Sequence, residues 1–420
     1  MSGALPNASP GGRAISTAFH YWRWTCATAA VLAVIGPAAA APVVCRNSNN
    51  FERWLEEFQQ EAAGQGISQR AISVAKPLMT HDEVTVSRDR GQRVFAENFL
   101  EFSDRLLRPY RLEQGPRLIR KNQAVFARIE RQYGVPAPVI TALWGLETDF
   151  GANNGKMPVV QTLTTLAYDC RRSEMFRPQL LDALRIIERG DLAPDEMLGS
   201  GAGELGQTQM MPSDYFRYAV DYDEDGRRDL IKSIPDALAS TANYLIGKGW
   251  RRDEPWLQEV RVPSDLQWRE ADLAIQHPVA QWGQWGVRSA DGRSFPNDNL
   301  PASLMLPMGH LGPAFLAYAN FGVFRKWNQS LSYATTAAYY ATRIAGAPPM
   351  RRSGSIPFFS VEQTRELQQI LVKQGFDIGA ADGKLGLATR AAVKELQIKL
   401  GLPADSYPTS QLLDLLRKQR

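Results

Sequence analysis

Glu147 is the residue of this sequence whose surroundings best suit acid catalysis. It lies in the run Trp144-Gly145-Leu146-Glu147-Thr148-Asp149-Phe150-Gly151, where an apolar helical pattern ends. A carboxyl group beside apolar and aromatic side chains loses hydration, so its pKa rises and it keeps its proton near neutral pH. A general acid that protonates a glycosidic oxygen needs this property. A solvated glutamate at a helix end is the alternative that the pattern leaves open.

A glycine-rich segment supplies the second group of candidate residues. Four glycines fall among the eight residues 199–206, and Gln209 follows in the same segment. Glycines at this density indicate close backbone approach or unusual dihedral angles. Ser200 and Gln209 beside such a loop are suited to hydrogen bonds with sugar hydroxyls and acetamido groups. The segment lacks the Lys-Ser/Thr of a phosphate-binding loop. A purely structural loop is the alternative.

An acidic run from Asp221 to Asp229 resembles the first half of a calcium-binding loop. Asp221, Asp223 and Asp225 stand at positions 1, 3 and 5, and Gly226 follows at position 6. Position 12 is Lys232 rather than the usual bidentate glutamate. Asp236 is a substitute only if the loop is longer and folds back. The alternative is a solvated acidic turn.

The first 45 residues contain no Asp or Glu and have the parts of an export signal. Two arginines precede an apolar stretch over residues 25–35, and a Gly-Pro breaker and four alanines follow. We expect residues 1–40 to be a signal peptide, with an uncleaved anchor as the alternative. In an oxidising compartment Cys45 and Cys170 are able to form one disulfide, and two unrelated thiols are the alternative.

The elements that must position these residues are mainly helical. Helical patterns run over Arg117–Gln132, Ala137–Glu147, Pro178–Arg189, Pro235–Ile246 and Ala334–Ala345, whereas short strands are indicated between residues 255 and 320. Residues 346–358 are rich in Pro, Gly, Ser and Arg and predict a linker. We therefore expect a mainly α catalytic domain with minor β structure over 41–345, and a small three-helix domain over 359–420.

Composition excludes several classes of protein. The 48 basic and 44 acidic residues of the 420-residue chain give a formal charge of +4, which is too even for a dedicated nucleic-acid binder. Three cysteines rule out a disulfide-dense scaffold or a zinc site built from cysteine, and the histidines have no ligand spacing. One short apolar stretch excludes a polytopic membrane protein.

Taken together, the motifs resemble the membrane-bound lytic transglycosylase B family of bacterial peptidoglycan-cleaving enzymes, over about residues 45–345. The resemblance is carried by Gly145-x-Glu147-Thr148-x-Phe150-Gly151, by Ala202-Gly203-x-x-Gly206-x-x-Gln209-x-Met211-Pro212-Ser213, by Tyr218-Ala219-Val220-Asp221 and by Ala242-Asn243-Tyr244. The C-terminal domain is similar to the peptidoglycan-binding domain 1 module through Asp382-Gly383-x-x-Gly386-x-x-Thr389 and Ala392-Val393-x-x-Leu396-Gln397.

This resemblance implies a lysozyme-like fold and a single catalytic carboxyl. Glu147 matches the family's acid, which later acts as base, in cleavage between N-acetylmuramic acid and N-acetylglucosamine. The substrate's acetamido group stabilises the cation, and the muramyl 6-hydroxyl closes a 1,6-anhydro ring. Glycan contacts are implied at Ser200, Gln209, Tyr244, Trp327 and Asn328, with Trp327 standing where the family has a tyrosine.

The resemblance also implies partners and location. No cofactor is needed for the chemistry, but a structural calcium is possible at Asp221, Asp223, Asp225 and Asp236. We expect peptidoglycan strands as substrate, a periplasmic location with possible membrane association, a monomer, and contacts with other cell-wall enzymes. One rival is a hydrolytic muramidase, for which Asp149 or Glu204 is the candidate second carboxylate. The other is a non-catalytic wall-binding protein.

Overall fold

The structure is a computed structural model that describes residues 50–91, 97–295, 298–352 and 359–418, and it is predominantly helical, as predicted. The expected signal peptide lies outside the described residues. Within these ranges, no helix combines the length and the apolar character needed to cross a membrane.

The described part of the chain begins with a series of helices. They are α1 (Phe51–Gly64), α2 (Gln69–Ala75), α3 (Glu83–Arg90), α4 (Phe99–Leu106), α5 (Pro109–Lys121) and α6 (Gln123–Tyr133), with a 3₁₀ helix at Lys76–Leu78. The pattern read as one helix over Arg117–Gln132 is broken at Asn122. Its side-chain amide donates to the Leu118 carbonyl at 3.0 Å, so this residue competes with the helical backbone bonds.

The next group contains the helix that positions Glu147. It comprises α7 (Ala137–Thr148), α8 (Val159–Tyr168), α9 (Ser173–Arg189), α10 (Pro212–Tyr218) and α11 (Ile234–Gly247). Ten of the twelve residues of α7 are buried, which makes it the central helix of the main apolar core. A helix with apolar residues on all sides is stable only when other elements surround it.

Two small sheets accompany the helices. In the first, β1 (Met157–Pro158) pairs antiparallel with β2 (Leu198–Gly199). The second contains β3 (Leu257–Arg261), β4 (His277–Pro278), β5 (Arg288–Ser289), β6 (Pro301–Met305) and β7 (Ala314–Ala317) in the antiparallel order β4-β6-β7-β3-β5, with α12 (Val279–Gln284) and a 3₁₀ helix at Trp268–Glu270. This sheet has its own apolar cluster around Trp282, and it confirms the strands expected between residues 255 and 320.

The chain then returns to the core and ends in a small helical domain. Helices α13 (Ala319–Trp327) and α14 (Leu331–Ile344) precede α15 (Val361–Lys373), α16 (Leu387–Lys399) and α17 (Ser410–Lys418). Helix α14 packs against α7, which brings residues far apart in sequence to Glu147. The last three helices enclose a separate apolar cluster that includes Leu371, Val393 and Leu412.

The C-terminal domain is packed against the core through polar contacts. The described residues belong to one compact unit. The carboxylate of Asp405 accepts the backbone N–H of His310 at 2.9 Å, and Lys394 pairs with Asp272 at 2.9 Å. A Cβ on Gly309 would lie 2.7 Å from Asp405 Oδ2, so this glycine permits the close approach.

Cys170 is disulfide-bonded. The other two cysteines of the sequence, Cys26 and Cys45, both lie outside the described residues. The pairing of Cys45 with Cys170 therefore stays a prediction.

Candidate active site

The end of α7 explains the motif around Glu147. Asp149 and Phe150 both have positive φ, at 52° and 63°, so the chain leaves the helix in a sharp left-handed turn. The Phe150 ring folds back onto Trp144 with the ring centroids 5.5 Å apart. A Cβ on Gly145 would lie 2.7 Å from that ring, so the motif needs a glycine there. The turn fixes Glu147 beside an apolar wall.

Two side chains donate hydrogen bonds to one oxygen of Glu147. Trp327 Nε1 donates to Oε1 at 2.7 Å, and the Tyr333 hydroxyl donates to the same oxygen. Burial raises the pKa of Glu147 to about 7, although both hydrogen bonds oppose the rise, and the charge of Glu204 adds to it. Among the described residues nothing hydrogen-bonds to Oε2. Glu147 therefore keeps its proton near neutral pH, and its Oε2 has no hydrogen-bond partner among the described residues.

Tyr333 is a site residue that the sequence did not reveal. It lies near the start of α14, 186 residues from Glu147, and only the packing of α14 on α7 brings the two together. Burial and the neighbouring Glu147 raise the pKa of Tyr333 well above its ordinary value, so it stays a donor. The pattern did place it beside an alanine- and tyrosine-rich helix, but no local motif pointed to its role.

The structure places Tyr244 behind Trp327 rather than at an open surface. Its side chain is 5% exposed, its hydroxyl donates to the Lys326 carbonyl at 3.2 Å, and its ring meets Trp327 edge-on at 5.0 Å. Asn328 ends α13, and its side chain accepts the Ser330 N–H at 2.9 Å. Trp327 therefore belongs to the immediate surroundings of Glu147, whereas Tyr244 supports it.

Ser200 and Gln209 both lie in the loop that packs beside the end of α7. The Ser200 hydroxyl donates to Glu204 Oε2 at 3.0 Å. Gln209 has a positive φ of 53°, and its side-chain amide donates to the carbonyls of Asn154 at 3.0 Å and Gly206 at 2.9 Å. Both predicted glycan contacts thus lie in the loop that contacts the segment after α7, and both already have protein partners.

Asp149, one of the two suspected second carboxylates, has both oxygens engaged. Arg111 Nε pairs with Oδ1 at 2.6 Å, and the Asn153 amide donates to Oδ2 at 3.2 Å. This ion pair joins α5 to the end of α7. Asp149 therefore has the contacts of a structural residue rather than those of a base that activates water.

The acidic run brings three of its four predicted ligands together. Carboxylate oxygens of Asp221, Asp223 and Asp236 lie within 4.8 Å of one another. Asp225 does not belong to this group, and its carboxylate instead accepts the backbone N–H of Arg227 at 2.8 Å. Asp236 lies in the first turn of α11, and the loop folds back so that Asp221 and Asp223 reach it. The sequence required this fold-back for Asp236 to serve as a ligand.

Asp236 is the buried centre of the acidic cluster. Its oxygens accept backbone N–H groups of Tyr222 at 2.7 Å and Asp229 at 2.8 Å. Burial raises its pKa, and the charge of Asp223 adds to this effect. Lys232, which occupies position 12 of the loop, pairs with Glu196 at 2.7 Å. Three carboxylates that converge in this way form an oxygen-only donor set of the kind that calcium prefers.

The site as a whole has the features of a glycan-cleaving centre. A carboxyl with a pKa of about 7 lies against aromatic side chains at the end of a buried helix, and amide and carboxylate groups surround it. A mainly helical core with one such acid defines the lysozyme-like class of folds.

Comparison with known proteins places the chain within this class. Residues 50–342 match the family described as the transglycosylase SLT domain, and residues 360–416 match a peptidoglycan binding domain. The first match covers more than half of the chain, so the protein belongs to the transglycosylase SLT domain family.

Individual relatives agree with this assignment. SltB3 from Pseudomonas aeruginosa, solved in complex with NAG-anhNAM-pentapeptide, is 39% identical with a TM-score of 0.81, over 88% of this chain and 99% of SltB3. SltB1 from the same organism is 25% identical with a TM-score of 0.60, over 70% and 98%. The membrane-bound lytic murein transglycosylase B of Escherichia coli is 33% identical over 56% of this chain, and the match spans 64% of that relative's length.

Proposed function

We propose that the protein is a peptidoglycan lytic transglycosylase that cleaves between N-acetylmuramic acid and N-acetylglucosamine and leaves 1,6-anhydromuramic ends. The observation that carries this proposal is the state of Glu147. Its pKa of about 7 keeps a proton available, and two donors hold Oε1 while Oε2 has no hydrogen-bond partner among the described residues. A general acid needs this combination of protonation and fixed orientation.

Glu147 serves both steps of the reaction. It first gives its proton to the glycosidic oxygen as the C1–O4 bond breaks, and the acetamido oxygen of the muramyl sugar bonds to C1. The ionised Glu147 then accepts the proton of the muramyl 6-hydroxyl, which attacks C1 and displaces the acetamido oxygen. No water is consumed. Trp327 and Tyr333 stabilise the carboxylate between the steps, because a charged acceptor strengthens their hydrogen bonds.

Two observations favour this reaction over hydrolysis. Asp149 is held by an ion pair with Arg111 and by the Asn153 amide, which favours its ionised form and a structural role over the activation of water. SltB3 has been solved in complex with NAG-anhNAM-pentapeptide, an anhydro compound of the kind proposed here as product. The contacts expected from Gln209 and Asn328 add substrate binding to the acid.

Digestion of purified sacculi tests the proposal. We expect the full-length protein to release muropeptides with anhydromuramyl ends, identified by mass spectrometry, and Glu147→Gln to lower release by about 1,000-fold or more because the acid and base are lost. Glu130→Gln, which changes an exposed glutamate on α6, is the matched control. Reducing ends from the wild type would show hydrolysis instead, and equal release by Glu147→Gln would refute the role of this residue.

The C-terminal domain holds the enzyme on its substrate. It matches a peptidoglycan binding domain, and its attachment to the core raises the local concentration of glycan at the active site. This function requires export to the periplasm, which agrees with the expected signal peptide. We expect the exported enzyme to act at or near the membrane. We expect a monomer that works beside other cell-wall enzymes.

A structural calcium ion fits the acidic cluster. Asp221, Asp223 and Asp236 would hold it, and its positive charge would offset the mutual repulsion of the three carboxylates, of which Asp236 is buried. We expect calcium to raise the melting temperature of the wild type and to have little effect on Asp223→Ala, which removes the ligand oxygens. Asp225→Ala is the control, because Asp225 lies outside the cluster, and it should respond like the wild type. An equal calcium response in Asp223→Ala would contradict this site.

A further inference from the structure

Glu204 is a second carboxyl beside Glu147 whose role the resemblance does not explain. Among the described residues it has no ion pair, and the hydrogen bond to its side chain comes from Ser200 and reaches Oε2. The Glu204 side chain is partly buried, and burial raises its pKa, whereas the Ser200 hydrogen bond opposes this effect. Its other oxygen, Oε1, is therefore available to a ligand.

The Ser200 hydroxyl cannot take that ligand without losing its present bonds. It accepts the backbone N–H groups of Ala202 at 3.1 Å and Glu204 at 3.2 Å, and it donates its proton to Glu204. A hydroxyl has one proton and two lone pairs, so its hydrogen-bonding capacity is filled. The Ser200 N–H also donates to the Glu204 carbonyl at 2.8 Å, which closes the loop on itself. This small loop orients the carboxylate of Glu204.

The loop packs directly on the residues that follow Glu147. A Cβ on Gly155 would lie 2.0 Å from the Gly199 carbonyl oxygen, and Gln209 donates to the Asn154 carbonyl at 3.0 Å. Glu204 is close enough for its charge to raise the pKa of Glu147. Two carboxyls in one site divide into an acid and an anion when their surroundings differ. Glu147 is the acid of the reaction proposed above, and the hydrogen bond that Ser200 donates to Glu204 favours the ionised form of this second carboxyl.

We propose that Glu204 is a further catalytic residue whose Oε1 accepts a hydrogen bond from the acetamido N–H of the muramyl sugar whose glycosidic bond is cleaved. The proposal rests on the lytic transglycosylase function above. When the C1–O4 bond breaks and the acetamido oxygen bonds to C1, positive charge develops on the acetamido group. The carboxylate of Glu204 stabilises this charge and directs the carbonyl oxygen at C1. The N–H proton stays on nitrogen, so Glu147 alone gives and receives protons.

Steady-state cleavage of sacculi by Glu204→Gln tests this role. Loss of the negative charge should lower kcat by about 100-fold, as for other groups that stabilise transition-state charge, and change KM by less than about threefold, because the charge develops only after binding. Glu130→Gln is again the control. If the wild type forms anhydromuramyl ends but Glu204→Gln retains kcat within twofold, this inference fails and the proposed function stands. If the wild type forms no such ends, the proposed function itself fails.

A double-mutant cycle that combines Ser200→Ala with Glu204→Gln provides a second test, in which kcat is measured for both single variants and for the double variant. If Ser200 acts by orienting Glu204, Ser200→Ala should lower kcat less than Glu204→Gln, and the double variant should lose no more than Glu204→Gln alone. Fully additive losses would mean that Ser200 contacts the glycan independently, and would overturn the orienting role. A thiazoline analogue of the cyclic intermediate should bind the wild type at least tenfold more tightly than Glu204→Gln. Equal binding would overturn the proposed contact.

Discussion

The carboxyl of Glu147 couples the chemistry of the site to the stability of the fold. Its pKa is about 7 in the folded state, against 4.5 for an ordinary glutamate, because burial disfavours the charged form. Between these pH values the folded state keeps a proton that the unfolded state releases, so stability falls as pH rises through this window. Well above pH 7, the free energy of unfolding is lower by about 3 kcal/mol than it would be without this pKa shift.

Glu147→Gln should therefore stabilise the protein at high pH. The amide oxygen still accepts the bonds from Trp327 and Tyr333, but the variant has no charge to bury. We expect its melting temperature to exceed that of the wild type at pH 8 and to match it at pH 4, measured by calorimetry. Glu130→Gln should show no such pH dependence. A difference of equal size at both pH values would contradict the assigned pKa.

Removal of one donor to Glu147 should move the pH profile. Tyr333→Phe deletes a hydrogen bond that lowers the pKa of Glu147, so that pKa should rise further. Because the first step needs the protonated form, the alkaline limb of kcat/KM should move to higher pH by about one unit, the value of a hydrogen bond to a charged group. Trp327→Phe should shift the limb in the same direction. An unmoved limb in both variants would show that another group controls it.

These residues also show what local sequence can reveal. Glu147 was predictable because its apolar helix and the aromatic-glycine turn fall within eight residues. Tyr333 was not, since its contact with Glu147 spans 186 residues and depends on how α14 packs. Tyr244 was expected to contact glycan, but the sequence could not indicate that its ring is buried against Trp327.

At the scale of elements, Gln207 joins three segments that meet below the site. Its side chain is 4% exposed, its Oε1 accepts Trp144 Nε1 at 3.0 Å, and its Nε2 donates to the Ile231 carbonyl at 3.2 Å. Its backbone oxygen accepts the Thr148 hydroxyl at 2.5 Å. This one side chain thus links α7, the glycine-rich loop and the end of the acidic run.

Gln207→Leu should loosen all three segments together. It leaves Trp144 Nε1 without an acceptor, whereas the Ile231 carbonyl keeps the Asn154 amide as a donor at 3.3 Å. The unpaired indole N–H should cost about 1–3 kcal/mol of unfolding free energy. Urea unfolding measures the loss. Gln132→Leu, a change at an exposed glutamine of α6, should alter stability by less than about 0.5 kcal/mol. Equal effects of the two substitutions would show that the buried network contributes nothing.

The helices and strands themselves were largely predictable, and their limits were set by side-chain bonds. The pattern over Pro235–Ile246 matches α11 (Ile234–Gly247) because Pro235 lies in the first turn and Ser233 caps the helix. The pattern over Arg117–Gln132 failed at Asn122, where a polar side chain ends one helix before the next begins. Periodicity reports which face is apolar, but it does not report such local competition.

At the scale of the whole molecule, the C-terminal domain makes specific contacts with the core. Asp405 is 3% exposed, and it binds the backbone N–H of His310 on the core while it accepts Gln397 at 2.8 Å within its own domain. The sequence predicted the domain and its three helices, but His310 and Asp405 are 95 residues apart and have no local signature. The composition of residues 346–358 predicted a linker, but it could not predict the contacts that Asp405 and Lys394 make with the core.

Asp405→Ala should weaken the contact between the C-terminal domain and the core. The substitution leaves the His310 N–H and the Gln397 amide without their shared acceptor, and breaking a buried charged contact costs about 3 kcal/mol or more. We expect faster proteolytic cleavage between residues 345 and 359 and a larger radius of gyration in solution scattering. Asp414→Ala, which removes an exposed carboxylate of α17 that pairs with Arg417, should leave both measurements unchanged. Identical cleavage rates for the two variants would mean that Asp405 does not hold the C-terminal domain against the core.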